Sequence, residues 1–550
     1  MADFNNKKSS QSADTSNSLD ASKTYPVPWY YQLAIKLLKP VYQFILWRRH
    51  QKAKKTGLPI ADYNIETDAR FGKQYPPAPT LAASHPQSAT DTVFSGRTIW
   101  CHAVSLGETN TIAPMLKQML AQGAKIWLTN TTQTGYARTQ TLFAEALASG
   151  QMVHSFVPVD DATVIKRFVA HAKPDLVMFV ETELWANILA VLHESDIPSV
   201  LVNARLSQKS FDSYAKFSKV SQGMMHNISM IIAQDVDSAK RFRKLGTPVP
   251  KIRRADSLKW STSPIDLSSE SVGHLQAEQL QQLQAKFAAP ETNGGPDLSD
   301  VAGTLQSRPI WVAGSTHEGE ETQVLQAHKQ LLQQPGLEKA LLILVPRHPE
   351  RFDAVAEMIE QSGLTFNRRS QQQLIAADTQ VYLADTMGEL IDCYQLADVA
   401  FIGGSLVNIG GHNPIEAACF AKPVIMGTHT QSCHEVVAEL SAAGALQVVA
   451  SDDAANAKNS GKASKQEHGQ SIQPEVSLYQ ALRLWLGEPH LAEQAGEKGQ
   501  QLVAQKSDAM QRQLAMIEKL LADHYSKQPV DNEQLNDIDF DHFEVRQRSD

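Results

Sequence analysis

Two doubly wound, Rossmann-like α/β domains with a cleft between them are the fold class this sequence predicts, and three observations predict it. Short apolar runs alternate with segments of helical periodicity, first from Thr98 to Ala233 and again from Pro309 to Ala450; this is the pattern of parallel strands joined by crossover helices. Residues 266 to 308 break the rhythm with a Gln-rich segment and Pro290-Glu291-Thr292-Asn293-Gly294-Gly295-Pro296, the composition of an exposed linker or insertion. Each half also carries a glycine-bearing turn where a strand gives way to a helix. The first is Ser105-Leu106-Gly107-Glu108-Thr109-Asn110, and the second runs from Gly403-Gly404-Ser405 to Gly410-Gly411-His412-Asn413-Pro414-Ile415-Glu416. At 550 residues the chain is too long for one compact core.

Taken in order, residues 1 to 25 are rich in Ser, Asn, Asp and Lys and read as a disordered leader. Residues 26 to 55 read as one amphipathic helix with a basic flank. Apolar side chains at 30, 33, 34, 37, 38, 41, 44 and 45 share a face, aromatics stand at both ends, and Arg48, Arg49, His50, Lys52, Lys54 and Lys55 follow. Lys36 and Lys39 interrupt the run, whereas a spanning helix needs about 20 apolar residues. The pattern therefore predicts a helix lying in a membrane interface, with packing on the protein itself as the alternative.

After an irregular, proline-rich stretch, the first domain (60 to 265) is expected to contain strands at Thr98 to Ala103, Lys125 to Thr129, Met152 to Val157, Leu176 to Val180, Ser199 to Val202 and Met230 to Ala233. The second (309 to 525) is expected to contain Pro309 to Ala313, Ala340 to Val345, Thr379 to Leu383, Val399 to Gly403, Pro423 to Met426 and Ala445 to Ala450. Residues 451 to 473 read as a loop insertion and 526 to 550 as an acidic tail.

The net charge of -8, from 51 Lys and Arg against 59 Asp and Glu, argues against nucleic acid as a partner. The four cysteines lack metal-ligand spacing and sit in or beside apolar segments, as reduced core thiols of a cytosolic protein do.

Open α/β sheets bind ligands beyond the carboxyl ends of their strands, so the polar residues at strand ends are the candidates for chemistry. Glu108, in a first helical turn, could accept a proton from a bound hydroxyl; helix capping explains it equally well. A helix N-terminus is also expected to depress its pKa, which a base near neutrality does not want. Glu181-Thr182-Glu183-Leu184-Trp185 brings two acids out of a hydrophobic strand, one more than a cap requires. Lys259 draws interest only through its position at the end of the first domain.

In the second half, Arg347 in Val345-Pro346-Arg347-His348-Pro349 suits a phosphate, with a structural salt bridge as the alternative. Gly314-Ser315-Thr316-His317-Glu318-Gly319-Glu320 is a further polar turn, and Met387-Gly388-Glu389 opens a helix. Asn413, Pro414 and Glu416 fit an N-cap, the first helical position and a third-residue acid. The four glycines and His412 upstream would let backbone approach a ligand closely.

These segments, together with Asn203-Ala204-Arg205-Leu206-Ser207 and Asp385-Thr386, resemble in this order the bacterial 3-deoxy-D-manno-octulosonic acid (Kdo) transferases, inverting glycosyltransferases of the GT-B fold that act on lipid A precursors. The resemblance spans about residues 29 to 520. It implies that Glu108 is the general base and that Glu181 and Lys259 hold the acceptor and stabilise the transition state. Pro346, Arg347, Met387, Gly388, Glu389, Asn413, Pro414, Ile415 and Glu416 would then grip the cytidylate of the donor, CMP-Kdo, with no cofactor and no catalytic metal. It further implies a lipid A precursor as acceptor and a place on the cytoplasmic face of the inner membrane. The chain departs from the family pattern at Ala186, where proline is usual, and at Ser257, where asparagine is common. The competing readings are another GT-B enzyme with a UDP-sugar donor and a membrane-tethered nucleotide-sugar binding module.

Overall fold

The structure is a computed structural model, and it describes residues 24–56, 60–81, 92–262, 282–283, 286–287, 305, 308–373, 375–450 and 476–526. Nearly all of the expected leader, the 266–308 insertion and the acidic tail, and all of the 451–473 loop, lie outside the described residues. The chain divides into two compact units. One takes the described residues up to Asp256 together with those from Gln511 on, and the other runs Ser257–Met510.

In the first unit seven strands form one parallel sheet: β1 Thr98–His102, β2 Lys125–Asn130, β3 Met152–Phe156, β4 Leu176–Val180, β5 Ser199–Ala204, β6 Met230–Ala233 and β7 Ile252–Arg254, in the order β3-β2-β1-β4-β5-β6-β7. β1 pairs with both β2 and β4, so the winding reverses between β1 and β4, where such sheets open a ligand crevice. The strand residues are almost wholly buried because helices cover both faces. Trp100, Trp127, Phe168 and Phe179 pack edge to face in this core, with Trp100 and Phe168 centroids 4.6 Å apart.

The helix expected over 26 to 55 runs Trp29–Thr56 with Pro40 inside it. Two polar anchors fix it to the unit. The Tyr31 hydroxyl donates to Asp160 at 2.7 Å, and Asp160 also accepts the N–H groups of Asn187 and Ile188, at 3.1 and 2.9 Å. One carboxylate therefore ties this helix to the start of the helix Ala186–Glu194. Further on, the buried Glu66 carboxylate meets Arg70, His50 at 2.9 Å, Gln133 at 2.6 Å, and Arg49. Burial pushes its pKa up, but the Arg70, Arg49 and His50 contacts outweigh burial and the net direction is down.

The second unit repeats the plan with β8 Ile310–Thr316, β9 Leu341–Pro346, β10 Phe366–Arg368, β11 Val381–Leu383, β12 Val399–Ile402, β13 Val424–Met426 and β14 Leu446–Val448, in the order β10-β11-β9-β8-β12-β13-β14. Its switch point is β8/β12. Alternate residues serve opposite faces: Ile310 and Val312 join one core, Trp311 and Ala313 the other.

At this switch point one carboxylate organises the turn after β12. Glu320, fully buried, accepts the backbone N–H groups of His317 (2.9 Å), Gly404 (2.7 Å), Ser405 (3.0 Å) and Leu406 (2.9 Å). Burial pushes its pKa up and the four N–H groups oppose that rise. A side chain at Gly403 would run into the Ser315 carbonyl, which is why the turn starts on glycine.

Removing this carboxylate strands buried donors, each costing about 1–3 kcal/mol. Glu320→Ala is therefore expected to destabilise the unit by on the order of 3 kcal/mol or more, read as a lower urea midpoint; an unchanged midpoint would contradict the assignment.

Candidate active site

The first unit places Glu108 at the third position of the helix Leu106–Ala121, whose N-cap is Ser105. The capping reading of this residue holds. Its amide donates to the Ser105 hydroxyl at 3.3 Å, and its carboxylate accepts the Val104 N–H at 2.7 Å and faces the Ser105 hydroxyl at 3.3 Å. The expected depression of its pKa does not occur. Burial pushes it up to about 8, the neighbouring carboxylates of Glu181 and Glu183 add to the rise, and the Val104 N–H and Ser105 hydroxyl only partly oppose it. The desolvation that a neutral-range base requires exists within this unit.

β1 and β4 are neighbours across the switch point, so Glu108 and Glu181 emerge side by side. Glu181 has φ +60°, a left-handed conformation rarely adopted by a side-chain-bearing residue. Its backbone is locked on both sides: its N–H donates to the Val202 carbonyl and its carbonyl accepts the Arg205 N–H, each at 3.1 Å. Strain held by surrounding bonds in this way is typical of functional turns. Glu183 accepts the Trp185 indole N–H at 3.0 Å. The Trp185 ring lies 5.8 Å from buried His102, whose pKa burial lowers to about 4. Trp185 also lines a cavity of about 280 Å³ under the N-terminal helix, with Tyr31, Ile35, Leu38, Tyr42 and Arg70.

Lys259 lies past the end of the first unit. It belongs to the second unit, where its ammonium donates to the Ser432 carbonyl at 3.1 Å, and the Ser432 N–H in turn donates to the Gly410 carbonyl at 2.8 Å. The boundary between the units falls after Asp256, not at 265, and that places Lys259 beside the glycine loop.

In the second unit Arg347 follows Pro346 at the end of β9, exposed, with its N–H donating to the Thr316 carbonyl at 3.0 Å. Among the described residues no ion pair under 4.0 Å engages its guanidinium. Half-buried Glu416 feels it: burial raises the Glu416 pKa and Arg347 lowers it, so the two side chains share one neighbourhood. Asn413 acts as a cap one residue earlier than the motif suggested. The short helix is Ile415–Ala418 with Pro414 at the cap position, and the Asn413 side chain accepts the Ile415 N–H at 3.2 Å.

The glycine run does not offer bare backbone to a ligand. Glu320 occupies the N–H groups of residues 404 to 406; those of Gly410 and Gly411 go to the Gly404 carbonyl, and that of His412 to the Gly403 carbonyl. Side chains remain as the groups that face outward. Glu389 is likewise committed: Arg369 grips its carboxylate at 2.9 and 3.0 Å, Lys286 approaches to 3.4 Å, and the Arg369 bond is the largest cause of a pKa down to about 2. Of that triplet, Met387 and Gly388 are exposed, and Gly388 takes φ +89°. The helix behind it, Leu390–Leu396, packs on Ile415–Ala418, which brings the 387–389 and 413–416 turns to one end of the sheet.

Sequence reasoning set His412 beside the glycines as a place for ligand approach and quoted His317 only within a motif, and it did not pair the two. Their Nε2 atoms are 2.8 Å apart and their rings stack with centroids 5.1 Å apart.

A family model described as 3-deoxy-D-manno-octulosonic-acid transferase (kdotransferase) matches residues 67–262. The 3-deoxy-D-manno-octulosonic acid transferase of Haemophilus influenzae is 34% identical over 429 residues, covering 77% of this chain and 87% of that protein. The Bordetella pertussis enzyme of the same name is 30% identical over 422 residues, covering 76% and 86%. Among solved structures, the C-terminal CMP-Kdo binding domain of WaaA from Acinetobacter baumannii is 32% identical, covering 41% of this chain and 96% of that one, with a TM-score of 0.31. By its identity to full-length relatives across most of both chains, this chain belongs to the 3-deoxy-D-manno-octulosonic acid (Kdo) transferase family of glycosyltransferases.

Proposed function

We propose that the chain transfers Kdo from CMP-Kdo to a hydroxyl of lipid IVA, the tetraacylated glucosamine disaccharide bisphosphate precursor of lipid A, with inversion at the anomeric carbon. The observation that carries this reading is the half-buried Glu108 carboxylate beside Glu181 and Glu183, with its pKa raised to about 8. A base of that strength takes the proton of the attacking hydroxyl as the new carbon–oxygen bond forms. On the opposite face the bond from the anomeric carbon to the phosphate oxygen breaks, and CMP departs with the electron pair. Arg347, placed without an ion-pair partner among the described residues, stabilises that departing phosphate. Glu416 accepts ribose hydroxyls, and Asn413, Pro414 and Ile415 shape the same wall. Pro346 sets the direction of Arg347, while Met387, Gly388 and Glu389 form the turn against which the nucleotide rests. Glu181 acts on the acceptor side. Lys259, bonded beside the glycine loop, favours a role at the donor phosphate. No cofactor and no metal enters these steps.

The N-terminal helix supports a lipid acceptor. Trp29, Leu33, Leu37, Leu38, Val41, Phe44 and Ile45 are all exposed on it, and Arg48, Lys52, Lys54 and Lys55 follow. No described helix is long and apolar enough to cross a membrane. An exposed apolar stripe ending in cations suits the surface of an anionic leaflet, here the cytoplasmic face of the inner membrane. The apolar cavity beneath the helix suits hydrocarbon.

Three measurements test this reading. Glu108→Gln is expected to lower kcat by at least about 100-fold, with mass spectrometry of lipid IVA incubated with CMP-Kdo, against UDP-sugars, reading the product; turnover near wild type would remove the base. Because the carboxylate is the active form, wild-type kcat at saturating CMP-Kdo should rise with pH to a plateau above about 8. A plateau already reached at pH 5 would contradict the raised pKa. Finally, glutamate at Leu37, Val41 and Phe44 together should abolish sedimentation with anionic vesicles while leaving thermal unfolding unchanged, and undiminished sedimentation would rule out this helix face.

A further inference from the structure

The donor unit contains an imidazole pair that the reaction as proposed does not use. His317 comes from the turn after β8 and His412 from the glycine loop, 95 residues later. A 2.8 Å Nε2–Nε2 contact requires that one nitrogen carry a hydrogen and the other a lone pair. Several features hold this arrangement. The His317 N–H is fixed by Glu320, and the His412 N–H by the Gly403 carbonyl. Gly404, at φ +68°, passes so close that an added Cβ would stand 3.2 Å from His412 Cδ2. The His348 ring closes the other side, edge-on to His317 at 5.1 Å.

We propose that His317 and His412 form a proton-sharing clamp for a phosphate: the pair takes up one proton when the phosphate of a cytidine nucleotide binds against Arg347. This rests on reading the second unit as the donor site. The backbone N–H groups of residues 404 to 406 and 410 to 412 are already taken, so Arg347 and the imidazoles are among the donors left to meet an anion. Adding a proton leaves the shared Nε2–H in place and gives both rings an Nδ1–H, so the pair gains a donor as well as a charge.

The surrounding charges set the sign. Burial and the cations nearby keep the unliganded pair neutral: burial is the largest cause of a His412 pKa near 4, with His317, Arg347 and His348 lowering it further. His317 is lowered by burial, His348, Arg347 and Arg351, with Glu321 opposing. The acids around the pair are otherwise engaged. Glu321 is bidentate to Arg351 at 2.7 and 3.2 Å, Glu320 is saturated by four N–H groups, Glu350 faces His348 at 3.6 Å, and Glu416 faces Arg347. A phosphate against Arg347 offsets the guanidinium and adds its own negative charge, which reverses the balance for the imidazoles.

Calorimetric titration of the full chain at pH 7 with the 5′-methyl phosphate ester of cytidine tests this, since its phosphodiester does not titrate near neutrality. Measured in three buffers of different ionisation enthalpy, binding should take up a large part of one proton, and Kd should weaken by up to about tenfold per pH unit above neutrality. Cytidine, lacking the phosphate, should take up none. The double variant His317→Gln, His412→Gln keeps polar groups at both positions and should still bind, more weakly, without proton uptake. Wild-type binding with no uptake would overturn the clamp and leave the donor site standing. Uptake that survives in the double variant would also overturn it and move the proton to His348. Failure of the wild type to bind the ester would overturn the donor reading and the clamp together.

Discussion

The desolvation of the Glu108 carboxylate is the constraint on which the rest depends. A glutamate in the first turn of a helix ordinarily caps it and remains a weak base. Here burial and two neighbouring carboxylates outweigh the Val104 N–H and lift its pKa to about 8. Such a cost is tolerated only where the surroundings over-determine the structure. The strand ends of β1 and β4 are adjacent, Glu181 is locked in a left-handed conformation, and the helix Ala186–Glu194 is fastened through Asp160 to Tyr31. The same carboxylate chemistry serves the opposite purpose in the second unit. Glu320 spends its oxygens on four backbone N–H groups, and its role is to hold a turn.

That use of Glu320 changes what the turn after β12 exposes. Glycine-rich turns often present bare N–H groups to phosphate. This one spends the N–H groups of residues 404 to 406 and 410 to 412 internally, and on the reading proposed above a phosphate is left to side chains, Arg347 and the paired imidazoles among them. The glycines here permit close packing of backbone on backbone, as Gly403 on Ser315 and Gly404 beside His412 show. Lys259 joins the same wall through Ser432, which links the segment just after the unit boundary to the loop before Asn413.

Much of this was legible in the sequence. The alternation of apolar runs located twelve of the fourteen strands among the described residues, and the acids at strand ends pointed to Glu108 and Glu181 because open parallel sheets collect ligands there. The two missed strands, Ile252–Arg254 and Phe366–Arg368, are three-residue edge strands containing arginine, too short and polar to show a period. Three further features had no local signal. Glu320 reads as part of a polar turn, and three of its four N–H partners lie 84 to 86 residues away. The His317–His412 contact spans 95 residues. Lys259 was read at the end of the first domain, and the structure groups it with the second unit, which begins at Ser257 just before the short turn Leu258–Thr262. Sequence pattern reports burial and local turns well; charge environment is a property of the folded surroundings, and the rise in the Glu108 pKa belongs to that class.

The most direct test of the central claim is the titration of the Glu108 carboxyl group itself, by 13C NMR of the full chain labelled at glutamate side-chain carboxyls, with Glu108→Gln identifying the resonance. The account predicts one glutamate titrating near pH 8 that is missing from the variant. A Glu108 resonance titrating between pH 4 and 5, the range of an ordinary solvated glutamate, would contradict it.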